Sequence, residues 1–112
     1  MKEDAIHAAI VQYLQLVLPK EALFWHTPNT FSSARPAFHA KLKRMGRLAG
    51  IPDLLVLHGG NLIGLEVKAA KGKQSPEQRY IEGAFVEAGA TYYVVRSIDD
   101  TKEALTLEGV IG

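Results

Sequence analysis

The stretch from Leu54 to Lys68 constrains this chain more than any other. Leu54-Leu55-Val56-Leu57 and Leu62-Ile63-Gly64-Leu65-Glu66-Val67-Lys68 are apolar runs of strand length, separated by His58-Gly59-Gly60-Asn61. Short apolar runs on either side of a glycine turn predict a β-hairpin. A lone hairpin is marginal in water and needs further strands or a helix packed on it. The rest of the chain supplies both.

Ile6, Ile10, Tyr13, Leu14 and Val17 recur at helical spacing and predict an amphipathic helix of about four turns that Pro19 stops. Leu23-Phe24-Trp25-His26, bounded by Pro19 and Pro28, reads as a strand with Phe24 and Trp25 as core residues, and Asn29 to Ser33 reads as loop. A second helix is predicted from Pro36 to Met45 with Gly46 as its C-terminal cap, and Phe38, Leu42 and Met45 form its apolar stripe. Ser75-Pro76-Glu77-Gln78 has the form of a capping box and opens a helix ending near Gly89, with Ile81, Ala84, Phe85 and Ala88 as its buried stripe. Thr91 to Val95 is the last strand, and Ser97 or Asp99 caps a closing helix through about Leu107. The order helix, strand, helix, hairpin, helix, strand, helix predicts an α/β fold, a mixed β-sheet flanked by helices, in one domain spanning 1–112.

Composition adds exclusions. With no cysteine, thiol catalysis, zinc-cysteine sites and disulfides are ruled out. No apolar run reaches membrane-spanning length, and Met1-Lys2-Glu3-Asp4 lacks a signal-peptide pattern, so a cytoplasmic protein without a membrane partner is expected. The net charge of +1, from 13 basic and 12 acidic residues, announces no partner by itself. The distribution does: Arg35, Lys41, Lys43, Arg44 and Arg47 fall in a segment without a single acid, and Lys71 and Lys73 form a second basic group. Both suit DNA backbone phosphates, with Lys71 and Lys73 next to the N-terminus of the Ser75-capped helix.

Alternation along the second hairpin strand puts Ile63, Leu65 and Val67 on one face and Gly64, Glu66 and Lys68 on the other. An acid and a lysine within a hydrophobic strand are costly unless that face is a solvated site. Asp53, just before the first hairpin strand, can be brought near Glu66 by the hairpin. Two carboxylates, with the Val67 carbonyl as a third oxygen, suit a hard cation such as Mg2+ or Mn2+, and Lys68 beside them could position an attacking water. Phosphodiester hydrolysis is the reaction this implies. Nucleotide hydrolysis by a phosphate-binding loop is disfavoured, because Val67 and Gln74 stand where that motif needs glycine and Ser or Thr. No serine sits on a glycine-flanked elbow, and His7, His26, His39 and His58 have no metal-ligand spacing.

Gly50-Ile51-Pro52-Asp53, Gly64-Leu65-Glu66-Val67-Lys68 and Gly72-x-x-Ser75-x-x-Gln78 together resemble the signature of the PD-(D/E)xK nuclease superfamily, and within it the stand-alone virus-type replication-repair nuclease (VRR-NUC) domain. The resemblance runs from about Glu3 to Ser97. It implies a restriction-endonuclease-like core, Mg2+- or Mn2+-dependent DNA cleavage and, as in small phage and bacterial members, homodimers acting on branched DNA such as four-way junctions. By the same resemblance Asp53 and Glu66 match the metal carboxylates, Lys68 the catalytic lysine, Gln78 the motif glutamine, and Glu3 the acid of the first helix, with Asp4 adjacent to it. His26 and Asn29 lie in a His-x-Pro-Asn segment similar to those of the family, and the resemblance implies a DNA or water contact there. A non-cleaving nucleic-acid-binding module of this fold and a restriction-like endonuclease acting on linear duplex are the alternatives.

Overall fold

A computed structural model describes residues 1–28 and 35–112. The loop expected over 29–33, with Asn29, lies outside the described residues. The elements in chain order are α1 (Glu3–Val17), β1 (Leu23–His26), α2 (Pro36–Arg44), β2 (Leu54–His58), β3 (Asn61–Val67), α3 (Pro76–Glu87), β4 (Thr91–Val95) and α4 (Ile98–Leu107). The strands form one sheet in the order β1-β2-β3-β4. The first two pairings are antiparallel and the last is parallel, so α3 serves as the crossover that a parallel pair requires. This is the mixed, helix-flanked sheet expected from the sequence. Among the described residues no helix is long and apolar enough to cross a membrane.

Local chemistry accounts for the boundaries. Ser75 Oγ accepts from the Gln78 backbone N–H and Gln78 Oε1 accepts from the Ser75 N–H, so the capping box closes in both directions. Ser97, not Asp99, caps α4, accepting from the Asp100 N–H at 3.0 Å. Gly46 takes a φ of +96° just past α2, where a residue with a Cβ would be strained.

Ile63, Leu65 and Val67 of β3 and Leu54 and Val56 of β2 point to one side of the sheet. They pack there with Ile6, Ile10 and Leu14 of α1, Ala104 and Leu105 of α4, and Val95 and Val110. Each such fully buried aliphatic side chain contributes about 1.5–3 kcal/mol. The opposite side is covered over β3 and β4 by α3: Ile81 is buried, and Phe85 meets Tyr92 edge to face with ring centroids 5.8 Å apart.

Three expectations about packing are corrected. Trp25 is not core: α3 stops short of β1, leaving it 38% exposed beside the exposed Leu23 and Leu57. Helix α2 fully buries none of its residues: of its expected stripe Leu42 is half-buried, Phe38 40% exposed and Met45 76% exposed. In α3 only Ile81 of the expected stripe is buried; Phe85 is half-buried, whereas Ala84 and Ala88 face solvent, because the helix rests on the sheet through its Gln78–Ile81–Phe85 side.

Candidate active site

The site forms where β2 begins and β3 ends. Leu54 pairs with Leu65, which puts Asp53 beside the Glu66–Val67 segment. Asp53 is held from both neighbouring strands. Its carbonyl accepts from the Thr27 N–H at 2.9 Å and from His26 Nδ1 at 3.0 Å, while its carboxylate Oδ2 accepts from the Val67 N–H at 2.8 Å. Because a carbonyl oxygen only accepts, Nδ1 of His26 is the donor in its contact with Asp53. The Lys68 N–H turns the other way, to the Val95 carbonyl. Because the N–H and C=O of one extended residue point to the same side, the Val67 carbonyl faces the Asp53 side, where the third oxygen was expected.

Two glycines let this corner close. A Cβ on Gly64 would lie 2.6 Å from Pro52 Cγ and 3.1 Å from Phe85, so the bare backbone of Gly64 is the floor on which the Pro52 ring, and with it Asp53, is set. Gly50 has a φ of +87°, and a Cβ there would lie 2.5 Å from the Glu77 carbonyl oxygen, so the 50–53 turn packs directly on the first turn of α3. The cover formed by Pro52 and α3 changes the character of the site. Glu66 does not occupy a solvated face: it is 1% exposed.

Glu66 Oε2 accepts from Gln78 Nε2 at 3.0 Å and lies 3.6 Å from Lys68 Nζ. Gln78 therefore serves as both helix cap and holder of the acid. Glu66 Oε1 is buried with no hydrogen-bond donor. Burial raises the Glu66 pKa first, the adjoining Asp53 carboxyl adds to it by hydrogen bond and charge, and Glu3 adds a weaker push; Lys68 opposes them, and the result is about 8. Protonated, Glu66 can donate to Asp53; ionised, it leaves Oε1 unsatisfied next to a second negative group. A cation would satisfy both oxygens at once, so the donor set fits Mg2+ or Mn2+, which take oxygen ligands. Asp53, Glu66 and the Val67 carbonyl are the residues that could hold such an ion. Glu3 is exposed at the start of α1, and among the described residues no cluster of three or more His, Asp or Glu side chains forms; Glu3 acts on Glu66 through its charge.

The basic residues are placed unevenly. Lys71 and Lys73 are exposed on the segment that follows Lys68, and a Cβ added at Gly72 of that segment would lie 3.4 Å from Lys68 Cδ. Arg35, Lys41, Lys43 and Arg44 are exposed on and before α2, while Arg47 is half-buried. His26 is exposed beside Asp53.

Some residues at the site had no separate signal in the sequence. His7 meets His26 edge to face at 4.7 Å; its spacing of one turn from Glu3 was the available clue. Gln74 donates to Glu82 at 3.2 Å, close to the buried Tyr92 hydroxyl, whose pKa is raised by its burial and then by the Glu66 charge. Gly64, one alternation before Glu66, was legible as a residue on the same face and of the quoted motif, but not as the floor beneath Pro52.

No protein-family model matches this chain, and no curated protein matches it. Solved structures do. One described as a "VRR_NUC domain protein" superposes with a TM-score of 0.73 at 22% identity, covering 95% of this chain and 86% of that one. Another, described as a "VRR_NUC domain", superposes with a TM-score of 0.64 at 23% identity, covering 95% of this chain and 96% of that one. The chain therefore has the fold of VRR_NUC domain proteins, the fold its motifs implied.

Proposed function

We propose that this chain is a metal-dependent endonuclease that hydrolyses DNA phosphodiester bonds at the Asp53–Glu66–Lys68 corner, acting on branched DNA as a homodimer. The observation that carries the reading is Glu66: a carboxylate buried beside a second carboxylate, with one oxygen lacking any donor. The likeness to VRR_NUC structures supports it. Mg2+ or Mn2+ held by Asp53, Glu66 and the Val67 carbonyl would supply a Lewis acid and lower the pKa of a coordinated water.

The protein's own groups do the rest. The Val67 N–H fixes Asp53 Oδ2, and Gln78 fixes Glu66 Oε2, so each carboxylate is oriented before substrate arrives. Lys68 Nζ, next to Glu66, donates to the attacking water or to a phosphate oxygen. The water oxygen bonds to phosphorus as its proton passes to bulk solvent, the bond from phosphorus to the leaving nucleoside oxygen breaks, and that oxygen takes up a proton from solvent. Lys41, Lys43, Arg44, Arg35 and Arg47, with Lys71 and Lys73, hold backbone phosphates, and His26 borders the path; such contacts position DNA without reading its sequence. One corner makes one cut, so two-fold pairing of protomers matches a junction that needs two.

The test is cleavage of an end-labelled synthetic four-way junction and of a linear duplex in Mn2+, Mg2+ or EDTA. The junction is expected to be cut in metal and spared in EDTA, and Asp53→Asn and Lys68→Ala should each abolish cutting. Intact DNA in every lane, or variants as active as the wild type, would refute the reading.

A further inference from the structure

Arg96, the first residue after β4, has no part in the chemistry above, yet its guanidinium is committed to a single task. Nη1 donates to the carbonyls of Ala69 at 2.6 Å and Gly72 at 2.8 Å, with the Ala70 carbonyl 3.4 Å away. Three of the four residues that follow Lys68 thus turn their carbonyl oxygens onto one nitrogen. The turn is closed from within by the Gly72 N–H, which donates to the Ala69 carbonyl at 2.9 Å. Arg96 is itself anchored, since its backbone N–H donates to Asp100 Oδ2 at 2.9 Å in the first turn of α4. Carbonyls around a guanidinium leave the side chains of the turn pointing elsewhere, and Lys71 and Lys73 are exposed, with no ion pair among the described residues. The turn sits at the carboxyl ends of the parallel pair β3 and β4, close enough to the Lys68 stem that a Cβ added at Gly72 would lie 3.4 Å from Lys68 Cδ.

From this we infer that Arg96 is a positioning residue for substrate binding: it shapes the 69–72 turn so that Lys71 and Lys73 are held as a preformed pair of cations beside Lys68, for two backbone phosphates flanking the bond that is cut. The inference rests on the nuclease reading for its substrate, but not for the shape of the turn. Preforming a charged loop lowers the ordering cost at binding, so its loss weakens affinity more than turnover.

The experiment compares the wild type, Arg96→Ala, Arg96→Lys, Lys71→Ala/Lys73→Ala and the triple variant. DNA affinity is measured in EDTA across a salt series, kcat and KM in Mn2+, and the rate of trypsin cutting after Lys71 and Lys73 without DNA. Arg96→Ala is expected to speed trypsin cutting severalfold, to raise Kd and KM about three- to tenfold with kcat changed less than twofold, and to lower the salt slope by about 1 to 2. Arg96→Lys, which keeps donors for the carbonyls, should recover part of the affinity. In the Lys71→Ala/Lys73→Ala background Arg96→Ala should add nothing to KM, the mark of action through those lysines. An equal KM penalty in that background, a fall in kcat with KM unchanged, or faster trypsin cutting with unaltered affinity would each overturn the inference. A wild type that neither binds nor cuts DNA would sink the nuclease reading instead, while the trypsin rates would still report on the turn.

Discussion

Raising the pH on the metal-free protein should cost it stability through Glu66. The group takes up its proton at about pH 8 in the folded chain against an ordinary value of 4.5, because burial and the neighbouring Asp53 disfavour the charged form. The folded state therefore binds this proton more tightly than the unfolded state. Its contribution is fully present below pH 4.5, is lost progressively as the pH rises toward 8, and does not change further above that. A shift of about 3.5 units at 1.36 kcal/mol each sets a ceiling of about 5 kcal/mol. Relaxation around a carboxylate that keeps Gln78 and Lys68 as partners should bring the measured loss to a few kcal/mol. Other groups titrate in the same window, so the quantity to measure is the difference between the wild type and Glu66→Gln. Urea unfolding in EDTA at pH 5, 6, 7 and 8.5, followed by circular dichroism, should show Glu66→Gln gaining on the wild type by at least about 2 kcal/mol across the range. A difference that stays constant with pH would refute the argument that Glu66 is held protonated by its surroundings.

Three further outcomes follow from the same geometry. Calorimetric titration with Mn2+ in buffers of different ionisation enthalpy should show close to one proton released per ion at pH 6 and none at pH 9, because the cation displaces the Glu66 proton. Gly64→Ala should destabilise by about 1–3 kcal/mol and abolish DNA cleavage, since its Cβ would force Pro52 and Asp53 away from Glu66, whereas Gly83→Ala, with open space around it, should leave cleavage unchanged. Ser75→Ala should cost about 1 kcal/mol of stability with cleavage retained, while Gln78→Ala, which also removes a donor from Glu66, should lower cleavage in addition; equal cleavage by the two variants would contradict the double role of Gln78.

What the sequence made legible is what depends on near neighbours. The glycine turn between β2 and β3, the Ser75–Gln78 capping box and the Ser97 cap are short-range patterns, and each appears in the structure. The convergence of Asp53 with Glu66 and Lys68 was legible too, since strand alternation and a hairpin leave little freedom once the turn is placed. Burial was harder to see. Glu66 and Trp25 lie on the same side of the sheet, but Pro52 and α3 cover one and not the other, and no local pattern records how far a helix extends across neighbouring strands. Apolar spacing in α2 likewise reports amphipathicity and not whether anything covers the helix. Arg96 was invisible for a different reason: its partners are backbone carbonyls 24 to 27 residues away, and carbonyls carry no sequence identity.

The central claim, that the Asp53–Glu66 corner is a divalent-cation site, is tested most directly by the anomalous scattering of Mn2+ soaked into crystals of the protein. The account predicts a single strong peak about 2.1 Å from a carboxylate oxygen of Asp53, Glu66 Oε1 and the Val67 carbonyl, lost in Asp53→Asn. A corner without anomalous density at saturating Mn2+, or a peak bound elsewhere on the chain, would contradict it.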